Sequence, residues 1–292
     1  MAAARIGNFV IERIVEQQRS YGLAQTFFNN LTDDMLAQAQ RVLPKAHFSE
    51  DGASLVLSFH SFVIKTGRHT ILVDCCCGND KERPQRPYFH QLQTDYLGTM
   101  TAANVEPEEI DFVMCTHLHW DHVGWNTRLI DGTWQPTFPN AKYIMARREY
   151  EYWDQHYKSG ATTPHAQAFG DSVVPIKRAE QAVLVDDGYE VQPGISIEAC
   201  PGHTPGNMVV NVNSQGAHGV MTGDVLHHPL QLMYPQLTTI ADEDSLLAVQ
   251  TRNGLVERVA DTDTIVMPGH FIAPSVGRIH RQAQGNFEFK FV

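Results

Sequence analysis

The chain has 292 residues, enough for one large α/β domain or two small ones, and either size buries a sizeable core. A hydrophobic fraction of 42% and a charged fraction of 19% argue against a disordered chain, and no run nears the ~18 apolar residues of a membrane span. The formal net charge of −11, with no basic stripe, argues against nucleic acid as a partner.

The N-terminal stretch MAAARIGNFVIERIVEQQ breaks its apolar residues with Arg5, Glu12, Arg13 and Glu16, unlike a signal-peptide core, so a cytoplasmic protein is expected. Residues 8–16 and 53–74 read as strands, the latter with a turn at Thr66-Gly67, and 89–104 look helical. The apolar run 110–117 ends on a histidine, as a buried strand would. AKYIMA (141–146) is another strand and REYEYWDQHY (148–157) starts a helix. GISIEAC, NMVVNVN, HGVMTGD and the later TIVMPGH are short strands closing on turns. Between the last two, residues 243–260 carry a helical stripe of Leu246, Leu247, Val249, Leu255, Val256 and Val259. Segments of about 21–50 and 155–180 have weaker periodicity and read as inserted loops or short helices. Strands mixed with helices in two similar halves indicate an α/β protein.

Five cysteines (Cys75, Cys76, Cys77, Cys115, Cys200) lie in apolar, strand-like contexts. Adjacent cysteines cannot readily satisfy disulfide geometry with one another, and the odd count argues against a disulfide framework. They are expected to be reduced, buried and small-hydrophobe-like.

The stretch CTHLHWDHVGW concentrates His117, His119, Asp121 and His122 into six positions. On a continuing strand the first three would share a face and His122 would point away, so convergence requires the chain to turn, with Gly124 as a flexible point. Imidazole suits zinc and similar ions, and four histidine or carboxylate ligands exceed the three that an open catalytic zinc takes from protein. Two metals are therefore indicated. His203 in ACPGHTPGN, Asp224 in MTGDVLHH and His270 in VMPGH each follow a glycine at the end of an apolar run.

Together, THLHWDH, PGHTPGN, TGD and PGH resemble the metallo-β-lactamase superfamily, and ILVDCCCGN resembles its earlier Asp-x-Gly turn. The resemblance implies a single domain over 1–292 with the αββα sandwich fold, two mixed sheets flanked by helices, and insertions at about 21–50 and 155–180. It implies one metal on His117, His119 and His203, another on Asp121, His122 and His270, Asp224 bridging, and Asp74 orienting a ligand histidine. Zinc is the expected ion; manganese, iron or cobalt would also suit.

Within the superfamily the chain looks most like the lactonase and organophosphate-hydrolase branch. That implies an acyl-homoserine-lactone-type lactonase using a metal-bridging hydroxide, with Asp121, Asp224 and His227 taking part in the chemistry. His227 stands where such lactonases often place a tyrosine, three residues after the bridging aspartate. A phosphotriesterase or arylesterase with the same site is the runner-up, and a non-catalytic metal-binding protein is the reading from another class. The substrate would be a small ester, lactone or phosphotriester, and a homodimer across the N-terminal extension is left open. Phe48, Trp120, Tyr152, Trp153, Tyr234 and Phe271 are candidates for a hydrophobic substrate wall.

Overall fold

The computed structural model describes residues 4–283 and 285–292. The chain divides into two compact units, one of residues up to Gln17 with Phe59–Tyr189, the other of Gln18–Ser58 with Glu190–Val292.

The first sheet is built from β1 (Ala4–Ile6), β2 (Phe9–Leu23), β3 (Ser54–Lys65), β4 (Thr70–Val73) and β5 (Phe112–Met114). After β5 a separate hairpin of β6 (Thr127–Ile130) and β7 (Thr133–Pro136) intervenes, and β8 (Lys142–Ala146) and β9 (Ala182–Val185) complete the sheet in the order β1-β2-β3-β4-β5-β8-β9. Its centre is parallel, β4 with β5, β5 with β8 and β8 with β9. The short apolar runs TILV, FVM and KYIM belong there because a strand covered on both faces needs no polar alternation. The β3–β4 turn forms where expected: Gly67 takes φ +83° and the Thr66 hydroxyl accepts from His69 N at 2.9 Å.

The second unit carries β10 (Glu190–Gln192), β11 (Ile195–Ala199), β12 (Met208–Ser214), β13 (Ala217–Gly223), β14 (Ile265–Pro268), β15 (Gly277–Arg281) and β16 (Phe287–Phe291), paired in chain order. β13 and β14 run parallel among otherwise antiparallel neighbours, so this sheet too is mixed. Gln215 and Gly216 join β12 to β13 with positive φ at both positions, the geometry that matches the twist of a two-residue hairpin.

Helices are α1 (Asp33–Val42), α2 (Tyr96–Ala102), α3 (Arg147–Lys158) and α4 (Ser245–Val259), with shorter turns between. Thr32 caps α1 by accepting from Met35 N, and Asp244 caps α4 by accepting from Leu247 N. Among the described residues no helix is long and apolar enough to cross a membrane.

Three expectations need correction. The helix expected over 89–104 is confined to Tyr96–Ala102, because Asn79 exchanges two hydrogen bonds with Thr94 and Gln91 adopts φ +51°. The first strand continues past residue 16 to Leu23. On α4 the buried stripe is Ala248, Arg252, Leu255, Val256 and Val259, whereas Leu246 is 78% exposed. Arg252 tolerates burial because its guanidinium donates to the carbonyls of Pro235 and Leu237.

A candidate metal centre

In the first unit, β5 stops at Met114, and the chain leaves the carboxyl end of a parallel sheet, where α/β folds build sites. His117 follows three residues later. His119 then occupies the N-cap position of a single helical turn, Trp120–Val123, closed by His122 N donating to His119 O at 3.0 Å. That turn brings His122 back beside His117, with ring centroids 4.0 Å apart, while His117 and His119 lie at 4.6 Å. The turn required by the sequence argument is therefore present.

Gly124 has a different role from the flexible point expected. Its φ of −55° suits any residue, but a Cβ there would sit 1.9 Å from Cys77 O, so glycine is needed for space. The segment after β4 runs alongside: Cys75 N donates to His122 O, Gly124 N to Cys76 O and Trp125 N to Cys75 O.

Asp74 lies beneath two of these histidines. Its Oδ2 is 2.8 Å from His122 Nδ1 and accepts from the Thr116 hydroxyl at 2.8 Å, while Oδ1 accepts from Thr116 N. Since the Thr116 hydroxyl donates to Asp74, His117 Nδ1, 3.1 Å from Thr116 Oγ1, must be the donor in that pair. Asp74 thus orients His122 directly and His117 through one hydroxyl, in each case through Nδ1, which leaves Nε2 as the nitrogen that could take a metal. His119 is flanked by the rings of Trp153 and His165 at 5.5 and 3.8 Å, and buried Glu149 accepts from Leu118 N and Trp153 Nε1.

Within the second unit lie His203, Asp224 and His270, all buried. The loop bearing His203 lies on the start of α4, where a Cβ on Gly202 would meet Ala248 N at 2.2 Å. His203 Nδ1 is 3.0 Å from Asp242 Oδ1, and Asp242 Oδ2 accepts from Thr239 N. Burial pushes the Asp242 carboxyl up, but His203, His227 and the Thr239 N–H outweigh it and hold the group below the usual carboxylate range. His270 Nδ1 lies 3.0 Å from Ser58 O, and Ser58 N donates in return to His270 O. Asp224 follows β13 and presents Oδ2 to His203 Nε2 at 3.4 Å and Oδ1 to His270 Nε2 at 3.1 Å. One carboxylate with an oxygen toward each of two histidines is the arrangement a bridging ligand needs.

His227 is buried with Nε2 3.1 Å from Asp224 Oδ2, and its ring lies 4.8 Å from that of His203. Burial, ahead of the opposing pull of Asp224, keeps its pKa below that of a free imidazole, so it is neutral at pH 7. Its neighbour His228 faces elsewhere, toward His47 O and Leu230 N, and is structural.

The aromatic candidates separate. Trp120 lies against Phe59 and Phe89, and Phe271 enters the second unit's core beside Phe289. Phe48 stacks edge-on to His228, and the Tyr234 hydroxyl donates to Met35 O. These four therefore do structural work. Trp153, by contrast, touches the ring of a candidate ligand, His119, and Tyr152 packs on Trp153. Sequence reasoning missed Asp242, Glu149 and the Thr116 hydroxyl. Nothing in TTIADEDS separates Asp242 from its acidic neighbours, and Glu149 gives no signal beyond its place in an amphipathic helix.

The profile of the metallo-beta-lactamase superfamily matches residues 57–270. The chain belongs to that superfamily. A Bacillus N-acyl homoserine lactonase is 27% identical over 183 residues, 62% of this chain and 64% of the relative, so the chain spans just under two thirds of that protein. A second N-acyl homoserine lactonase, AttM of Azorhizobium caulinodans, is 32% identical over 121 residues, 38% of this chain and 39% of the relative. Among solved structures, the hydrolase AbOPH of the β-lactamase superfamily superposes with a TM-score of 0.83 at 19% identity, covering 99% of this chain and 96% of that one. AidC, a dizinc quorum-quenching lactonase bound to its homoserine product, gives 0.78 at 19%, covering 98% and 95%. The fold is the metallo-β-lactamase fold, α/β with mixed sheets and flanking helices, as the sequence motifs implied.

Proposed function

We propose that the chain is a dinuclear metal-dependent hydrolase, and that its substrate is a lactone of the acyl-homoserine type. The observation that carries this reading is the orientation of the imidazoles. Thr116, Asp74, Asp242 and the Ser58 carbonyl engage Nδ1 of His117, His122, His203 and His270 in turn. Such second partners are what metal-ligating histidines require, and a set of catalytically idle core histidines would not need all four. In this reading His117, His119 and His203 would hold one ion and Asp121, His122 and His270 the other, with Asp224 shared between them; the side chains available for this are two His/Asp groups of the described residues. Nitrogen and carboxylate donors in this mixture suit zinc, with manganese, iron or cobalt as substitutes.

Two such ions, when bound, lower the pKa of water toward neutrality and polarise a carbonyl. The chain's own residues then have defined tasks. Asp224 keeps two histidines in register, Asp121 accepts a proton from the attacking water, and neutral His227 donates a hydrogen bond to the oxygen on which negative charge develops. An imidazole in place of a phenol at 227 also favours a second reading, hydrolysis of aryl esters or phosphotriesters by the same residues. The whole chain is one domain in this reading, with 21–50 and 155–180 as insertions. Five buried, reduced cysteines support a cytoplasmic setting.

The deciding measurement is acid release on ring opening of a long-chain acyl-homoserine lactone by zinc-replete protein, with Asp224→Ala as the blank. A kcat/KM above ~10^4 M⁻¹s⁻¹, lost in the variant, is the expected result. Absence of turnover on lactones, aryl esters and phosphotriesters alike, with two ions bound, would leave a non-catalytic metal-binding protein instead.

A further inference from the structure

Glu16 lies on β2, far ahead of the candidate ligands in sequence, and belongs to none of their motifs. Its carboxylate is a hub. Oε2 accepts from Cys77 N at 2.9 Å, and Oε1 accepts from Gly78 N at 3.1 Å, Trp125 Nε1 at 2.6 Å and Thr94 Oγ1 at 3.3 Å. Backbone and indole N–H groups can only donate, so the partners are those of an ionised acceptor. Burial raises the carboxyl above its ordinary pKa, and the donors from Cys77, Trp125 and Gly78 oppose that rise.

What the hub joins is specific. Cys77 and Gly78 end the cysteine run, and Trp125 follows the HxHxDH segment by three residues. Between them the two loops are already laced by the three backbone hydrogen bonds of Cys75, Gly124 and Trp125, and Gly78 meets Gly124 so closely that a Cβ on either would clash with the other loop. The cysteine run therefore serves the site through its main chain. Its thiols stay buried, and Glu16 closes the open end of the contact.

We propose that Glu16 is a positioning residue for the second metal: by fastening the Cys75–Gly78 loop to Trp125 it fixes the turn that presents Asp121 and His122. The inference rests on the dinuclear reading above. Glutamine at this position keeps the shape but turns an NH2 group toward N–H donors, so either the bond to Cys77 or both bonds to Gly78 and Trp125 must be lost. Trp125→Phe keeps the ring and removes only the indole donor.

Cobalt(II) titration of the metal-free full-length chain, read both by chelator competition and by the visible band of each bound ion, tests this. Wild type should take up two equivalents. In Glu16→Gln the second equivalent should bind ~10–100-fold more weakly, as for other residues that orient ligands, with an altered band, while the first binds as in wild type. Trp125→Phe should show the same selective loss to a smaller degree, and it decides the matter alone where Glu16→Gln does not fold. Unchanged affinity for the second ion in both variants would overturn the proposal. So would equal weakening of both ions in step with a lowered melting temperature of the metal-free protein, which marks general destabilisation. A wild-type chain that binds one equivalent would instead overturn the dinuclear reading, and this proposal with it.

Discussion

Asp74 and Asp242 perform the same task on different histidines, and the energetic argument is the same for both. A carboxylate hydrogen-bonded to Nδ1 fixes the tautomer, restricts rotation of the ring and raises the basicity of Nε2. Replacing Asp242 by asparagine keeps an acceptor for either Nδ1 of His203 or N–H of Thr239 but removes the charge. The expected outcome is a ~10–100-fold loss of metal affinity with an intact fold, measured by competition against a chelator and by far-UV circular dichroism. Asp74 was legible in the sequence because it ends an apolar run at a family turn. Asp242 was not, since its only distinction is which imidazole the folded chain puts beside it. The seven candidate ligands stood out for the opposite reason: four crowd into His117–His122, and His203, Asp224 and His270 each follow a glycine at the end of an apolar run.

Among the elements, the weakly periodic 155–180 segment shows why hydrophobic pattern alone could not place it. It is helical through Pro164–Arg178, with a π-turn at Phe169–Val173. What anchors that turn is charge. Asp171 accepts two bonds from the Arg83 guanidinium at 2.7 and 3.0 Å and lies 3.5 Å from Lys81 Nζ, while its carbonyl accepts from the Thr127 hydroxyl. Both cations are buried, and Lys81 also lies 3.5 Å from the Trp134 ring centroid. Burial, partly offset by Asp171, draws the Lys81 pKa down to about 7. Asp171→Ala would strand two buried cations, so it should cost ~3–5 kcal/mol in urea unfolding. A loss under ~1 kcal/mol would mean that water reaches the cluster and that the segment is held by its apolar contacts.

Taken as a whole, the molecule should be sensitive to acid even in the presence of a chelator. His47 and His228 form a buried pair with ring centroids 5.2 Å apart, and Phe291 stacks on His47. Burial lowers His47 from 6.5 to about 4, and burial with the neighbouring His47 takes His228 well below 6.5. Because the folded values lie below the unfolded one, the stability involved is complete above pH ~6.5 and is lost as pH falls toward 4, where the unfolded chain alone takes up protons. Urea unfolding in chelator from pH 7.5 to 4.5 should show a loss of up to ~3 kcal/mol from His47 alone, absent in His47→Leu. At this scale the strand-rich halves, the hairpin turns and the amphipathic last helix were visible in the pattern. The length of β2 and the burial of Arg252 were not, since both depend on partners far away in sequence. The cysteines have a consequence of their own. All five are reduced and buried, and burial drives the thiols of Cys75, Cys76, Cys77 and Cys115 far from ionisation. A disulfide reagent is attacked only by thiolate that can reach it, releasing its own leaving thiolate, so every sulfur labelled records an excursion in which that part of the chain had opened. The chain thus carries a native reporter of its own breathing, three sulfurs of which sit on the loop hydrogen-bonded to the His122–Trp125 segment.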